Sequence, residues 1–241
     1  MSLMALAAVT LDAGGTLFDV AEPVGVTYAR VAARHGVVLA ADEVDRRFRE
    51  AFAVASPLAF PGAEPARRAD DERAWWYAIV RAAFGEAAAM PPFDVCFAEL
   101  FRYYAEPAAW RVFPDVWEAL SRIRRHGIRI GVVSNFDERL VRLVVGLGLG
   151  PLVDLVVPSS RAGAAKPDPA IFRAALAGLG VSPLAAVHVG DGLIPDVEGA
   201  RAAGLRAVLI DRSARRPRIP PDVSTITALS ELTAVLGLKL A

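Results

Sequence analysis

Apolar residues recur along this chain in two rhythms, and the two alternate through its second half. Nearly continuous apolar runs stand at MALAAVTLD (4–12), RIGVVSN (129–135), LVDLVVP (152–158), AAVHVGD (185–191) and LRAVLID (205–211). Rich in β-branched and small side chains, they read as strands buried on both faces. Between them lie PDVWEALSRIRRHG from Pro114, DERLVRLVVGLG from Asp137, DPAIFRAALAGLG from Asp168 and DVEGARAAG from Asp196, with helical spacing. Each opens on Asp or Pro and closes at Gly, the start and stop chemistry of a helix. Such alternation predicts a parallel sheet covered by helices on both faces.

From Val20 to Trp110 the rhythm is helical only. PVGVTYARVAARHG, ADEVDRRFREAFAVA, DDERAWWYAIVRAAF and FDVCFAELFRYYAE read as four amphipathic helices, with SPLAFPGAEPARR a loop between the second and third. The expected class is α/β: a three-layer, Rossmann-like parallel-sheet core over residues 1–19 and 111–241, with an α-helical domain, 20–110, inserted after the first strand.

Composition narrows the function. A chain of 241 residues, 54% hydrophobic, is long enough to bury a core of its own. Its 27 basic and 27 acidic residues cancel, which removes the broad positive field that nucleic-acid binding draws on. Cys96 is the one cysteine, so neither an intrachain disulfide nor a cysteine-built zinc site is available, which suits a reducing compartment. No apolar run approaches the roughly 20 residues that cross a bilayer, and the first residues lack the basic start of a secretory signal. The expectation is a cytoplasmic protein without nucleic-acid or membrane partners; its oligomeric state is not legible.

Ligands of parallel sheets sit at the carboxyl ends of the strands. Four of the five runs end there on polar residues, at Asp12, Ser134-Asn135, Asp191 and Asp211. Such a sheet gathers Asp12, Ser134, Lys166, Asp191 and Asp196 at one edge. Each has a task in displacement at phosphorus: a carboxylate attacks, a hydroxyl and an ammonium hold phosphoryl oxygens, and clustered carboxylates hold a hard cation such as Mg2+.

In this order, LDAGGTLFDV (11–20), VVSN (132–135), the lysine of KPDP (166–169) and GDGLIPD (190–196) resemble the four motifs of the haloacid dehalogenase superfamily, in the branch with a helical cap after the first motif. The resemblance spans essentially the whole chain. It implies Asp12 as nucleophile and Lys166 as its catalytic cation, with Ser134, Asn135, Gly15 and Thr16 around a phosphate. It implies Mg2+ held by Asp12, the Gly14 carbonyl and Asp191, with Asp196 a further carboxylate of the metal site. The implied substrate is a small phosphorylated molecule. One departure matters: Gly14 stands where the family's phosphatases carry a second aspartate, the acid of proton transfer. The family's dehalogenases also lack that acid, but usually have serine at the position of Asp191. Two alternatives therefore stand beside a phosphatase: a metal-independent 2-haloacid dehalogenase, and a weak or inactive scaffold with a binding or regulatory role.

Plainer structural roles compete for several of these residues. Asp196 reads as the N-cap of its helix and Asp168 as another, with Pro169 in the first turn. Ser134, Asn135 or Asp137 suits the start of the helix from Asp137. Pro195 stands where the family often has asparagine, and Asp19 fits a turn or cap. His188 reads as a hydrogen-bonded interior residue; His35 and His126 precede glycines at helix ends, where a cation suits the dipole. Trp75, Trp76, Phe97, Phe101, Tyr104 and Cys96 read as packing inside the insert. Arg46, Arg47, Arg49, Arg67, Arg68 and the run RSARRPR (212–218) suit either an anion or water.

Overall fold

The protein is described as a computed structural model over residues 6–213 and 219–238. In chain order its main elements are β1 (Ala8–Leu11), β2 (Phe18–Val20), α1 (Val24–Arg34), α2 (Ala41–Val54), α3 (Pro65–Phe84), α4 (Phe93–Tyr103) and β3 (Trp110–Val112). There follow α5 (Val116–Arg125), β4 (Arg129–Ser134), α6 (Arg139–Gly146), β5 (Leu155–Pro158), α7 (Ser159–Ala162), α8 (Pro169–Leu179), β6 (Ala186–Gly190), α9 (Gly199–Ala202), β7 (Arg206–Ile210), β8 (Ser224–Ile226) and α10 (Leu232–Val235). The chain divides into two compact units: Met1–Asp19 with Ala59–Gly62 and Val112–Ala241, and Val20–Leu58 with Ala63–Arg111.

The first unit is α/β. Six strands form one wholly parallel sheet in the order β5-β4-β1-β6-β7-β8. All five apolar runs are strands of it. The first begins at Ala8, and Met4 and Ala5 lie outside the described residues. β8 was not expected: three residues, of which only Ile226 is buried, give too short an alternation to read. Side chains alternate across a strand, so Gly131 and Val133 of β4 face one way and Ile130 and Val132 the other. On the first face α8 lays Ile171, Phe172, Ala175, Leu176 and Leu179 against Ala8, Val133, Val157 and Ala186. Ile130 and Val132 are fully buried on the second. Helix α5 packs against β4 and buries Val116, Ala119, Leu120 and Ile123, spacings of three, one and three that make a single stripe. Each fully buried side chain of this size contributes about 1.5–3 kcal/mol.

Helix boundaries follow local chemistry with three departures. Asp168 caps α8 as expected, accepting from Ala170 N at 2.8 Å, and the helix ends at left-handed Gly180. Helix α3 starts at Pro65 rather than Asp70: proline fixes its own φ and needs no N–H partner in the first turn, so the PARR of the expected loop is helical. Asp115 makes no cap bond to α5; its carboxylate accepts instead from Leu229 N at 2.6 Å and from Arg212. The segment from Leu193 to Glu198 is a single π-helical turn leading into the short α9, where one helix capped by Asp196 was expected.

The second unit is helical. Helices α1 to α4 close around Tyr28, Val31, Phe84, Phe93, Cys96, Phe97 and Leu100, with Trp76, Phe101 and Tyr104 partly buried against them. Burial pushes the Cys96 thiol pKa up. Trp75 departs from expectation: it stands outside that core, edge-on to Phe52 and Trp76, because its indole N–H donates to Ser56 O at 2.8 Å. His35 bonds Glu99 at 2.8 Å rather than acting on the dipole alone. Of the arginines weighed for an anion, Arg46 pairs with Glu43 and Glu50, and Arg47 with Glu43. Arg67 faces Asp71 at 3.8 Å.

Candidate active site

The register of the sheet sets the height of the site. Leu11 is level with Val132 on β4 and Val189 on β6, so the chain leaves three adjacent strands at Asp12, Ser134 and Asp191 together. The strand order makes this the crevice of the sheet, because the chain runs from β1 out to β4 and β5 and later to β6, β7 and β8 on the opposite side.

Lys166 is brought to Asp12 by its own main chain. Its N–H donates to Asn135 Oδ1 at 2.7 Å and its carbonyl accepts from Asn135 Nδ2 at 2.9 Å, so one amide holds both ends of the residue. Asn135, expected at a phosphate, has its side chain occupied by this clamp. Lys166 Nζ lies 2.6 Å from Asp12 Oδ1 and 2.5 Å from Asp196 Oδ1, with the lysine side chain 3% exposed. The contact to Asp12 is a buried ion pair. Burial opposes the lysine charge, but the two carboxylates outweigh it and hold the ammonium pKa above the ordinary lysine value.

Asp196 lies buried in the π turn. Its Oδ2 accepts from Gly192 N at 2.8 Å, while Oδ1 receives Lys166 Nζ and His188 Nε2, the latter at 3.0 Å. A Cβ on Gly190 would overlap this carboxylate. The aspartate is therefore a buried hub and not the helix cap that spacing suggested. Burial raises its pKa, but Lys166 and the His188 hydrogen bond prevail and hold it below the ordinary value. His188 is fully buried, and burial lowers its pKa.

Asp191 completes an acidic group. Carboxylate oxygens of Asp12, Asp191 and Asp196 lie within 4.8 Å of one another. Asp191 packs so closely on Gly15 that an added Cβ there would stand 2.7 Å from its Oδ2, and Gly15 has φ +71°. A Cβ on Gly14, by contrast, would meet nothing within 4 Å. The N–H groups of Gly15 and Thr16 close the loop itself, on Phe18 O at 2.9 Å and Ala13 O at 3.3 Å. Thr16 Oγ1 is buried with no partner among the described residues. Ser134 is buried at the end of β4, and Asp137 takes the helix-start role, accepting from Arg139 N at 2.9 Å.

The fold thus joins Asp12, Lys166, Asp191 and Asp196 directly and places Asn135 and Gly15 behind them. Asp19 is exposed in β2, and Asp211 accepts from Ser213 Oγ at 2.9 Å. Sequence reading missed Thr10, a direct cross-strand neighbour of His188, since that adjacency exists only once the register is known. Arg212, which the sequence offered to an anion or water as part of the basic run, instead donates to Thr16 O at 2.7 Å, pairs with Asp115 at 3.1 Å and lies over the Phe113 ring. Residues 214–218 of the basic run lie outside the described residues.

Comparison with known proteins gives the family. Residues 6–204 match the haloacid dehalogenase-like hydrolase family. The chain is 35% identical over 239 residues to haloacid dehalogenase-like hydrolase domain-containing protein 3 of Mus musculus, covering 95% of this chain and 93% of that one. It is 38% identical over 148 residues to phosphoserine phosphatase of Thermus thermophilus, 60% of this chain and 59% of that one. Among solved structures, a HAD phosphatase from Thermococcus onnurineus superposes with TM-score 0.68 at 26% identity, covering 98% of this chain and 100% of that one. A 2-haloacid dehalogenase from Pseudomonas syringae superposes with TM-score 0.60 at 25% identity, covering 96% and 98%. The chain belongs to the haloacid dehalogenase-like hydrolases.

Proposed function

We propose that this haloacid dehalogenase-like hydrolase is a magnesium-dependent phosphatase of the cytoplasm, acting on a small phosphorylated metabolite through an aspartyl-phosphate intermediate, with residues 20–110 as its cap domain. The observation that carries the reading is the convergence of Asp12, Lys166, Asp191 and Asp196 at one crevice. The residues fit a hard cation: carboxylate oxygens of Asp12, Asp191 and Asp196 lie within 4.8 Å of one another. Asp12, Asp191 and the Gly14 carbonyl would hold Mg2+, with Asp196 behind them on Lys166. When bound, the ion supplies charge neutralisation on the transferring phosphoryl group.

In this mechanism a carboxylate oxygen of Asp12 attacks phosphorus, a P–O bond forms and the bond to the leaving oxygen breaks, its electron pair departing with that oxygen. Lys166 and the Ser134 hydroxyl hold nonbridging oxygens. Water then attacks the aspartyl phosphate at phosphorus, releasing inorganic phosphate and restoring Asp12. Gly14 offers no acid for the leaving oxygen, so acyl and aryl phosphates, whose leaving groups need no proton, turn over faster than alkyl phosphates.

Gly14 also favours a second reading, displacement of halide from a 2-haloacid, which needs neither acid nor metal. Phosphate release from alkyl, aryl and acyl phosphates with and without Mg2+, run beside halide release from 2-haloacids, separates the two. Magnesium-dependent phosphate release is expected. Halide release alone establishes the dehalogenase, and absence of both leaves a binding protein.

A further inference from the structure

We propose that Thr10 and His188 form a buried brace that fixes Asp196 as the orienting partner of Lys166, which makes both of them positioning residues of the site. The kinetic part of this inference rests on the phosphatase reading above; the structural part does not.

With the ring neutral, protons allow one arrangement of the chain of contacts. Asp196 as a carboxylate has none to give, so the 3.0 Å contact requires His188 Nε2 to be the donor. In a neutral ring Nδ1 is then a bare acceptor, and 2.9 Å away stands Thr10 Oγ1, whose proton has a poorer alternative in Val187 O at 3.5 Å. The threonine hydroxyl thus satisfies the ring nitrogen that Asp196 leaves bare. Both residues are fully buried on the sheet face that carries α8, where the Phe172 ring meets the imidazole edge-on at 4.9 Å. The brace ends on the oxygen that also receives Lys166 Nζ, while Gly192 N holds the other oxygen. Three donors fix the carboxylate, and the fixed carboxylate sets where the ammonium meets Asp12.

The test reads the ring directly. Long-range proton–nitrogen NMR of the 15N-labelled full chain distinguishes the two neutral tautomers and the doubly protonated ring, with the His188 signals assigned by their loss in His188→Gln. The wild-type ring is expected as the Nε2–H tautomer. Thr10→Val, which keeps the shape and removes the hydroxyl, leaves Nδ1 a buried acceptor without its donor; the ring keeps Nε2–H on Asp196, while the Nδ1 signal is expected to move and kcat to fall roughly tenfold, the worth of one lost buried hydrogen bond. Thr10→Ser restores the Nδ1 signal and returns kcat to within about twofold. An Nδ1–H or doubly protonated ring in the wild type overturns the brace, as does a folded Thr10→Val with the Nδ1 signal and kcat unchanged. Should Thr10→Val not fold, the wild-type tautomer alone decides. If the wild type releases no phosphate, the phosphatase reading fails while the spectrum still judges the brace.

Discussion

The sharpest prediction concerns Gly14→Asp. The position has room: an added Cβ meets nothing within 4 Å, and Gly14 is not among the residues of positive φ. Replacing glycine at such a site costs the folded state little and restricts the unfolded chain, worth about 0.4–1 kcal/mol in favour of folding. The neighbouring glycine is the control. Gly15→Ala combines φ +71° with a Cβ 2.7 Å from Asp191 Oδ2, so it should lose about 1–2 kcal/mol to backbone strain alone and displace Asp191 as well. A positioned general acid is worth roughly 10²–10⁴ in rate, or about 2.7–5.5 kcal/mol of barrier. The gain belongs only to leaving groups that need a proton. With saturating Mg2+, kcat of Gly14→Asp on glycerol phosphate should therefore rise at least about 100-fold. On p-nitrophenyl phosphate or acetyl phosphate it should stay within about threefold, because their leaving groups are stable as anions. A variant melting within about 2 °C of wild type whose alkyl-phosphate rate does not move would refute the assignment of Gly14 as the missing acid.

Three further outcomes follow. Lys166→Met leaves Asp12 and Asp196 buried without their cation, so the melting curve should reveal a loss of about 3–5 kcal/mol together with loss of turnover. Added anion that restored full activity would count against the ion-pair account. Asp154 accepts from Ile130 N at 2.7 Å and Arg124 at 2.8 Å; burial raises its pKa, but these contacts prevail and hold it below the ordinary 3.8. A depressed carboxyl stabilises the fold above its unfolded pKa and loses that contribution as pH falls through the folded value, so Asp154→Asn should cost about 1 kcal/mol at pH 7, after screening at a one-third exposed side chain. That gap should close by about pH 2 in urea titrations; a constant gap would contradict it. Arg212→Met frees the Thr16 carbonyl and should lower kcat/KM roughly tenfold with KM for metal little changed, measured by steady-state kinetics.

Much of the fold was legible because its strands are buried on both faces and its helices are punctuated by Asp, Pro and Gly. The same chemistry misled wherever a tertiary partner outbid the local one. Asp115 and Asp196 both stand where a helix cap belongs, yet each finds partners distant in sequence: Leu229 and Arg212 for the first, Lys166 and His188 for the second. Conversely, Asp168 has no such competitor and caps as read. The site's acidic group was legible as polar ends of apolar runs. The clamp of Asn135 on the Lys166 main chain was not legible, because only the approach of Lys166 in the fold brings the two together. Thr10 was invisible, since a residue's cross-strand neighbour depends on register and not on spacing.

The π-helical turn from Leu193 to Glu198 sets a rule for how this protein can change. A surface connection ordinarily tolerates a residue gained or lost. Here the turn carries one residue more than an α turn would, and trimming it swings everything beyond by about 100° about the helix axis. Asp196 would then point away from Lys166, and two buried charges would lose their counterweight at one stroke. Exposed side chains of this stretch, such as Ile194, are free to vary, whereas buried Asp196 and Val197 and the length of the turn are not.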